Sequence, residues 1–372
     1  MGEKILKLSK SSISKKEIIS VNCVLKKGFF GMGDEVVRFE KRLSKYFGRD
    51  SVCVTNGFAA LQLALQACGV KSGDEIIVPS LTYIATYQAV SAIGAIPISC
   101  DINIDDLIID ITFAKKLISK KTKAIIPVFF GGHASRIDEI YKFAKLNNLR
   151  VIEDAAHAFG SYYKNKKIGA FGDITCFSFD GIKNITSGEG GCVVTRDTKI
   201  IKKIKILRTL GVENLIINKK RNWRFDSKVQ GWRYHMSDIM AAIGLVQLGR
   251  LAELRKKRQS LAKNYDLLFN NCQFVEIFNR NYNLTNPHIY IIKIKDKKEI
   301  SNLRIFLSKN KIETGLHYQP NHLLSKYKTH YSLPITDHVS RSIITIPLHP
   351  NIKKKDQIYI CNKINMFFKN KK

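Results

Sequence analysis

Seven apolar runs dominate the first half of this chain: SVCVTN (51–56), EIIVPS (75–80), IPISCDI (96–102), KAIIPVFF (123–130), RVIEDAA (150–156), ITCFSF (174–179) and GCVVT (191–195). Between most of the first five lie amphipathic stretches of helical period, at 58–68, 82–92 and 135–147. Continuous apolar strands separated by helices predict an α/β fold built on a mostly parallel, seven-stranded sheet covered on both faces. From Ser237, a plausible N-cap, a long helical pattern runs through SDIMAAIGLVQLGRLAELRKKRQSLAKNYDLL, with Ile239, Ile243, Val246 and Leu254 on one face. Beyond about 270 come two strand signals, HIYIIKIK and SIITIP, with helical segments near 298–309 and 353–368. At 372 residues the chain exceeds the usual span of one hydrophobic core. The reading is therefore a large domain over 1–245, with the N-terminal segment, and a smaller C-terminal α+β domain over 246–372.

Bulk properties narrow the classes. The 45% hydrophobic and 25% charged content is that of a globular protein. No signal peptide and no long uncharged apolar run is visible, which predicts a cytoplasmic protein without membrane insertion. The eight cysteines form no C-x-x-C pair, and several sit inside apolar runs, so buried free thiols fit better than disulfides or a zinc site. The formal charge of +31 could serve nucleic acid, an anionic surface or an anionic substrate, or could be drift toward Lys, Ile and Asn. The densest basic stretch, NKKRNWRFDSK (218–228), interleaves Trp223 and Phe225 with Arg221 and Arg224, but no nucleic-acid-binding signature accompanies it. No nucleic-acid partner is expected.

Sites in open parallel sheets form beyond the carboxyl ends of the strands, so the loops there carry the chemistry. After the first strand Asn56 and Gly57 open a helix whose free amides can face an anion. The second delivers Tyr83, the fifth Asp154 and His157, and the sixth Ser178 and Lys183 in FSFDGIKNITSGEGG. Each has a plainer reading: an Asp at a strand end is more often a helix cap, a Tyr at such a turn is usually packing, and Gly57 and GEGG can be simple turns. Those readings leave unexplained why an anion cradle, an aromatic, a carboxylate and a lysine share one sheet edge. Together they meet the needs of pyridoxal 5'-phosphate (PLP): a lysine amine for a Schiff base, a carboxylate for the pyridine nitrogen, an aromatic face and dipoles for the phosphate. No metal is called for.

The motifs GDEIIVPSLTYIAT, TKAIIPVFFGG, VIEDAAHAFG, FGDITCFSFDGIKNITSGEGG, AAIGLVQL, GLHYQP and TIPLHP run in order across nearly the whole chain. In this the sequence resembles the DegT/DnrJ/EryC1/StrS family of sugar aminotransferases, which have the aspartate aminotransferase fold, fold type I of the PLP-dependent transferases. The resemblance implies that Lys183 bears the cofactor, Asp154 pairs with the pyridinium nitrogen, His157 lies near the ring and its 3-hydroxyl, and Tyr83 stacks on it. It places the phosphate on Asn56, Ser178 and the backbone amides of Gly57 and Phe58, with His317 and Tyr318 of GLHYQP toward the sugar. Three departures stand out. Asn56-Gly57-Phe58 replaces Ser-Gly-Thr, Asp180-Gly181-Ile182 replaces Phe-Pro-Thr, and Arg233-Tyr234-His235 replaces Asn-Tyr-Arg, whose Asn reaches the phosphate across a dimer interface. Arg233 could supply that contact with a charge, or could belong to the basic surface around it.

By the same resemblance the chain would be a homodimer with shared active sites, moving an amino group from L-glutamate to a nucleotide-linked keto sugar in O-antigen, surface-polysaccharide or glycoside biosynthesis. A 4-keto-6-deoxyhexose is preferred by family frequency and a 3-keto sugar comes second. Lys183 speaks against a related sugar dehydratase, in which histidine stands at that position. A regulatory protein that kept the fold is the reading outside enzymes.

Overall fold

A computed structural model describes residues 5–217 and 223–370. All seven predicted strands form one sheet: β1 (Asp50–Val54), β2 (Glu75–Pro79), β3 (Ile96–Cys100), β4 (Thr122–Ile125), β5 (Arg150–Asp154), β6 (Ile174–Ser178) and β7 (Gly191–Thr195). Their order is β1-β7-β6-β5-β4-β2-β3. β7 runs antiparallel to both neighbours, and the remaining pairs are parallel.

The continuous apolar runs reflect burial on two faces. Cys53, Ile77, Ile125, Val151, Phe177 and Cys192 point into one core with Phe39, Leu43 and Phe143, whereas Val52, Ile76, Ala124, Ile152, Cys176 and Val193 point into the other with Ala60, Leu63 and Ile204. Successive side chains of a strand go to opposite sides, so both faces call for mostly apolar residues, with buried polar ones such as Glu153 and Thr175 hydrogen-bonded to each other. The helices covering the sheet include Gly57–Ala67, Ile84–Ser91 and Ile137–Leu146, close to their predicted spans.

The long helical run departs from expectation in two ways. Ser237 caps it, accepting from the Met240 N–H at 3.3 Å. The run then divides at Arg250 into Asp238–Gly249 and Leu251–Phe269. Arg250 leaves the helical region at φ −96° and ψ 1°, and its Nη1 binds Glu17 Oε1 at 2.6 Å and Ser12 O at 3.0 Å. Nor are Ile239, Ile243 and Val246 the inward stripe: they are half-buried, and the helix packs through Ala241, Gly244 and Leu248. At Gly244 a Cβ would meet the Phe39 ring at 2.6 Å, so bulk cannot face that way.

The second helix, Leu251–Phe269, leads to a three-stranded antiparallel sheet of β8 (Val275–Ile277), β9 (Tyr290–Ile294) and β10 (Ile343–Ile346). With Ile300–Lys309 and Lys354–Lys369 it encloses a core of Tyr265, Ile292, Leu303, Ile344 and Ile364. β8 carried no sequence signal. All eight cysteines are free; Cys53, Cys100, Cys176, Cys192 and Cys361 are buried, while Cys23 is exposed. Among the described residues no helix is long and apolar enough to cross a membrane, and no cluster of side chains could hold a metal ion.

Candidate active site

A cavity of about 520 Å³ opens at the carboxyl ends of the sheet. It is lined by Asn56, Gly57, Phe58, Tyr83, Asp154, His157, Ser178, Lys183, His317 and Tyr318, so the structure brings together every candidate but one. The exception is Arg233, which is exposed, forms a backbone bridge with Thr209 and lies outside this cavity. Part of the basic stretch, 218–222, falls outside the described residues.

The anion cradle is built by close approach. Asn56 Oδ1 caps the helix by accepting from the Ala59 N–H at 2.8 Å, which leaves its Nδ2 as the side-chain donor. A Cβ on Gly57 would lie 2.8 Å from the Cβ of Ser178, so only glycine lets the helix start come this near the end of β6. The free amides of that helix start and the Ser178 hydroxyl therefore share one side of the cavity.

Asp154 ends β5, buried. Its Oδ2 accepts from Thr86 Oγ1 at 2.8 Å and its Oδ1 from the Ala156 N–H at 3.1 Å. Burial pushes the carboxyl upward, and Thr86, Ala156 and the charge of Lys183 oppose it. Lys183 follows β6 in a turn closed by its own N–H on Asp180 O at 3.0 Å. Burial lowers the amine against the pull of Asp154 and Asp180, which favours the neutral, nucleophilic form.

His157 is kept neutral by burial and by the charges of Lys183 and His317. Its Nδ1 accepts from the Gly131 N–H at 3.3 Å, so the proton resides on Nε2, 3.1 Å from Tyr318 Oη. His317 is anchored by Thr345 Oγ1 at 2.8 Å from its Nδ1, and burial followed by Lys183 brings it down to about 4. Tyr83 is largely exposed, its ring centroid 5.6 Å from that of Tyr318.

Three contributors, Thr86, Glu189 and His288, had not been singled out for the site. Thr86 sits four positions into the helical stretch that opens with Thr82, and the two hydroxyls meet at 2.9 Å; that spacing was available in SLTYIAT. Asp180 and Glu189 also line the cavity, and burial and Asp180 raise the Glu189 carboxyl. His288, whose ring lies 4.3 Å from that of His157, comes from far along the chain and left no local signal.

Thr86→Val is expected to cost about tenfold in kcat/KM, the scale of one lost hydrogen bond to a charged group. The lost donor favoured the carboxylate, so the acid limb of the pH–rate profile should move to higher pH, and Thr86→Ser should restore it. An unmoved acid limb would show that Thr86 does not hold Asp154 in its ionised state.

A buried carboxylate, a depressed lysine amine and an amide-lined anion cradle at the switch edge of a mostly parallel sheet define a PLP-dependent transferase of fold type I. The comparisons agree. The model of the DegT/DnrJ/EryC1/StrS aminotransferase family matches residues 11–365, and the chain belongs to that family. It is 34% identical to the GDP-perosamine synthase of Escherichia coli O157:H7 over 372 residues, covering 99% of this chain and 100% of the relative. Among solved structures, the putative sugar aminotransferase Spr1654 of Streptococcus pneumoniae in its pyridoxamine phosphate (PMP) form superposes with a TM-score of 0.92 at 29% identity, over 98% of this chain and 99% of that one. Helicobacter pylori PseC, an aminotransferase involved in pseudoaminic acid biosynthesis, gives 0.92 at 26% identity over 99% and 100%. This protein is a PLP-dependent sugar aminotransferase.

Proposed function

We propose that the enzyme transfers the amino group of L-glutamate to a nucleotide-linked keto sugar, a 4-keto-6-deoxyhexose, for O-antigen or other surface-polysaccharide assembly. The observation that carries this reading is the single cavity in which Lys183 and Asp154 meet His317 and Tyr318. The full-length likeness to a GDP-perosamine synthase supports the choice of sugar class.

In this reading Lys183 would bear the cofactor, Asp154 would pair with its ring nitrogen, and the neutral His157 and Tyr83 would flank the ring. Asn56, Ser178 and the backbone amides of Gly57 and Phe58 receive the phosphate, an arrangement that fits the close approach at Gly57. When bound, PLP supplies the electron sink that makes a carbon–hydrogen bond next to nitrogen acidic. Lys183 Nζ, its basicity reduced by burial, then takes a proton from the donor's α-carbon and returns one in the sugar half of the cycle. Asp154 stabilises positive charge in both halves, held ionised by Thr86 and the Ala156 amide. His317 and Tyr318 contact the sugar. The chain's +31 charge suits substrates that carry a diphosphate.

The reaction is tested by incubating the holoenzyme with glutamate and a panel of dTDP-, GDP- and UDP-linked 4-keto and 3-keto sugars, with amine formation followed by mass spectrometry. Amination of 3-keto sugars in preference to 4-keto sugars would redirect the assignment.

The working unit in this reading is a cytoplasmic homodimer with shared sites. Phe29, Phe30 and Met32 stand exposed before the helix Asp34–Phe47, and Ile239, Ile243 and Val246 remain half-covered, which supports a second copy packing there. Arg233, outside its own cavity, would then reach the phosphate of the partner's site. Mixing Lys183→Ala with Arg233→Ala subunits should restore activity above either parent, because hybrid dimers hold one site with both lesions and one with neither. No recovery despite proven subunit exchange would remove Arg233 from the phosphate.

A further inference from the structure

Just beyond β2, Ser80 is fully buried and is bound twice by His322, 242 residues away. The His322 backbone N–H donates to Ser80 Oγ at 3.1 Å, and its ring Nδ1 lies 2.7 Å from the same oxygen. Asn321 adds its backbone N–H to Ser80 O at 3.0 Å, and its Nδ2 reaches Ser80 O at 3.1 Å and Thr82 O at 2.8 Å. The far edge of the His322 ring faces Asp337, with Nε2 3.2 Å from Oδ1. The Asp337 contact is an ion-pair approach short of an aligned hydrogen bond, and in the tautomer that turns an Nε2 proton toward it, Nδ1 accepts and Ser80 donates.

A serine, a histidine and an aspartate in line resemble a nucleophilic triad, but this set has no substrate access. Ser80 is 0% and His322 4% exposed, and neither lines the cavity. What the contacts do is join two segments that both deliver aromatic side chains to the active site. Tyr83 follows Ser80 on one of them, and Tyr318 precedes Asn321 on the other. The two rings meet at a 47° tilt with centroids 5.6 Å apart, and Tyr318 Oη lies 3.1 Å from His157 Nε2.

We propose that Ser80, Asn321 and His322 form a positioning knot that fixes Tyr83 and Tyr318 relative to each other over the Asp154–His157 side of the cavity. The knot has no chemical role of its own; it sets the register of the aromatic wall against which the sugar is held. Displacement of such a wall by about 1 Å is enough to cost about 10²-fold in rate. The inference rests on the assignment of Tyr83 and Tyr318 to the reacting pocket.

The two amide replacements of His322 separate the knot from simple packing. Asn places an oxygen where Nδ1 accepts from Ser80, whereas Gln places its amide where Nε2 faces Asp337. Ser80→Ala, Asn321→Ala and His322→Gln should each lose about ten- to hundredfold in kcat/KM for the keto sugar. At the assay temperature all should remain folded by far-ultraviolet circular dichroism. His322→Asn should stay within about threefold of wild type, although it removes the most ring volume. The near-ultraviolet dichroism of the tyrosines gives a readout independent of turnover: it should change in the first three variants and persist in His322→Asn. Equal losses for Asn and Gln, or losses that vanish on correction for the folded fraction, would overturn the knot. Should the wild type aminate no keto sugar, the functional reading fails, and the dichroism of the same variants still decides the knot.

Discussion

Lys183→Ala is expected to abolish transamination, lowering kcat by at least about 10³-fold, because in the proposed mechanism one amine carries both the cofactor and the proton transfers of each half-reaction. The fold should survive. Lys183 is half-buried at the cavity wall, and its backbone N–H keeps the turn bond to Asp180 O whatever the side chain. Removing the side chain relieves a buried amine of its desolvation cost rather than breaking a core contact. Circular dichroism and melting temperature should therefore remain near wild type while activity disappears. Partial rescue by a small external amine would agree with the role. Turnover close to wild type in the variant would eliminate it.

The second large effect is at Asp154. A carboxylate held against a cationic ring nitrogen stabilises charge that the reaction needs, and loss of such a preorganised group costs about 10²–10³-fold. Asp154→Ala is expected at the upper end of that range, with weakened cofactor retention. Asp154→Asn keeps the shape and one acceptor oxygen, which can still take the Ala156 N–H while its Nδ2 faces the Thr86 hydroxyl, so cofactor binding should hold better than rate. Dialysis against buffer, followed by the cofactor's absorbance, separates retention from turnover. If both variants lost little in either measure, Asp154 would be a structural cap at the end of β5.

The sheet was legible because its strands carry adjacent apolar residues that go to opposite cores, and two-sided burial is what such runs require. The site was legible to the extent that it lies on the loops after those strands: Asn56, Asp154, His157, Ser178 and Lys183 all fall at predicted strand ends. Features set by distant partners were not. Arg250 breaks a helical pattern that continues across it in sequence, because Glu17, 233 residues away, binds its guanidinium. The inward face of Asp238–Gly249 is lined by small residues because Phe39 occupies the space, so the larger apolar side chains point elsewhere. Tyr318 reaches His157 across 161 residues, and His288 enters from the same distant part of the chain. Hydrophobic period reports burial, and these contacts depend on which surfaces the fold brings opposite one another.

The proposed chemistry depends on one lysine among the 62 lysines and arginines of the chain. Its most direct test is to treat the holoenzyme with borohydride, which fixes a lysine-bound cofactor in place, and to map the modified peptide by mass spectrometry. The cofactor mass is predicted on the peptide containing Lys183, with the label lost when the enzyme is first converted by an excess of L-glutamate. A label on any other lysine, or a label on Lys183 that glutamate leaves untouched, would contradict the assignment.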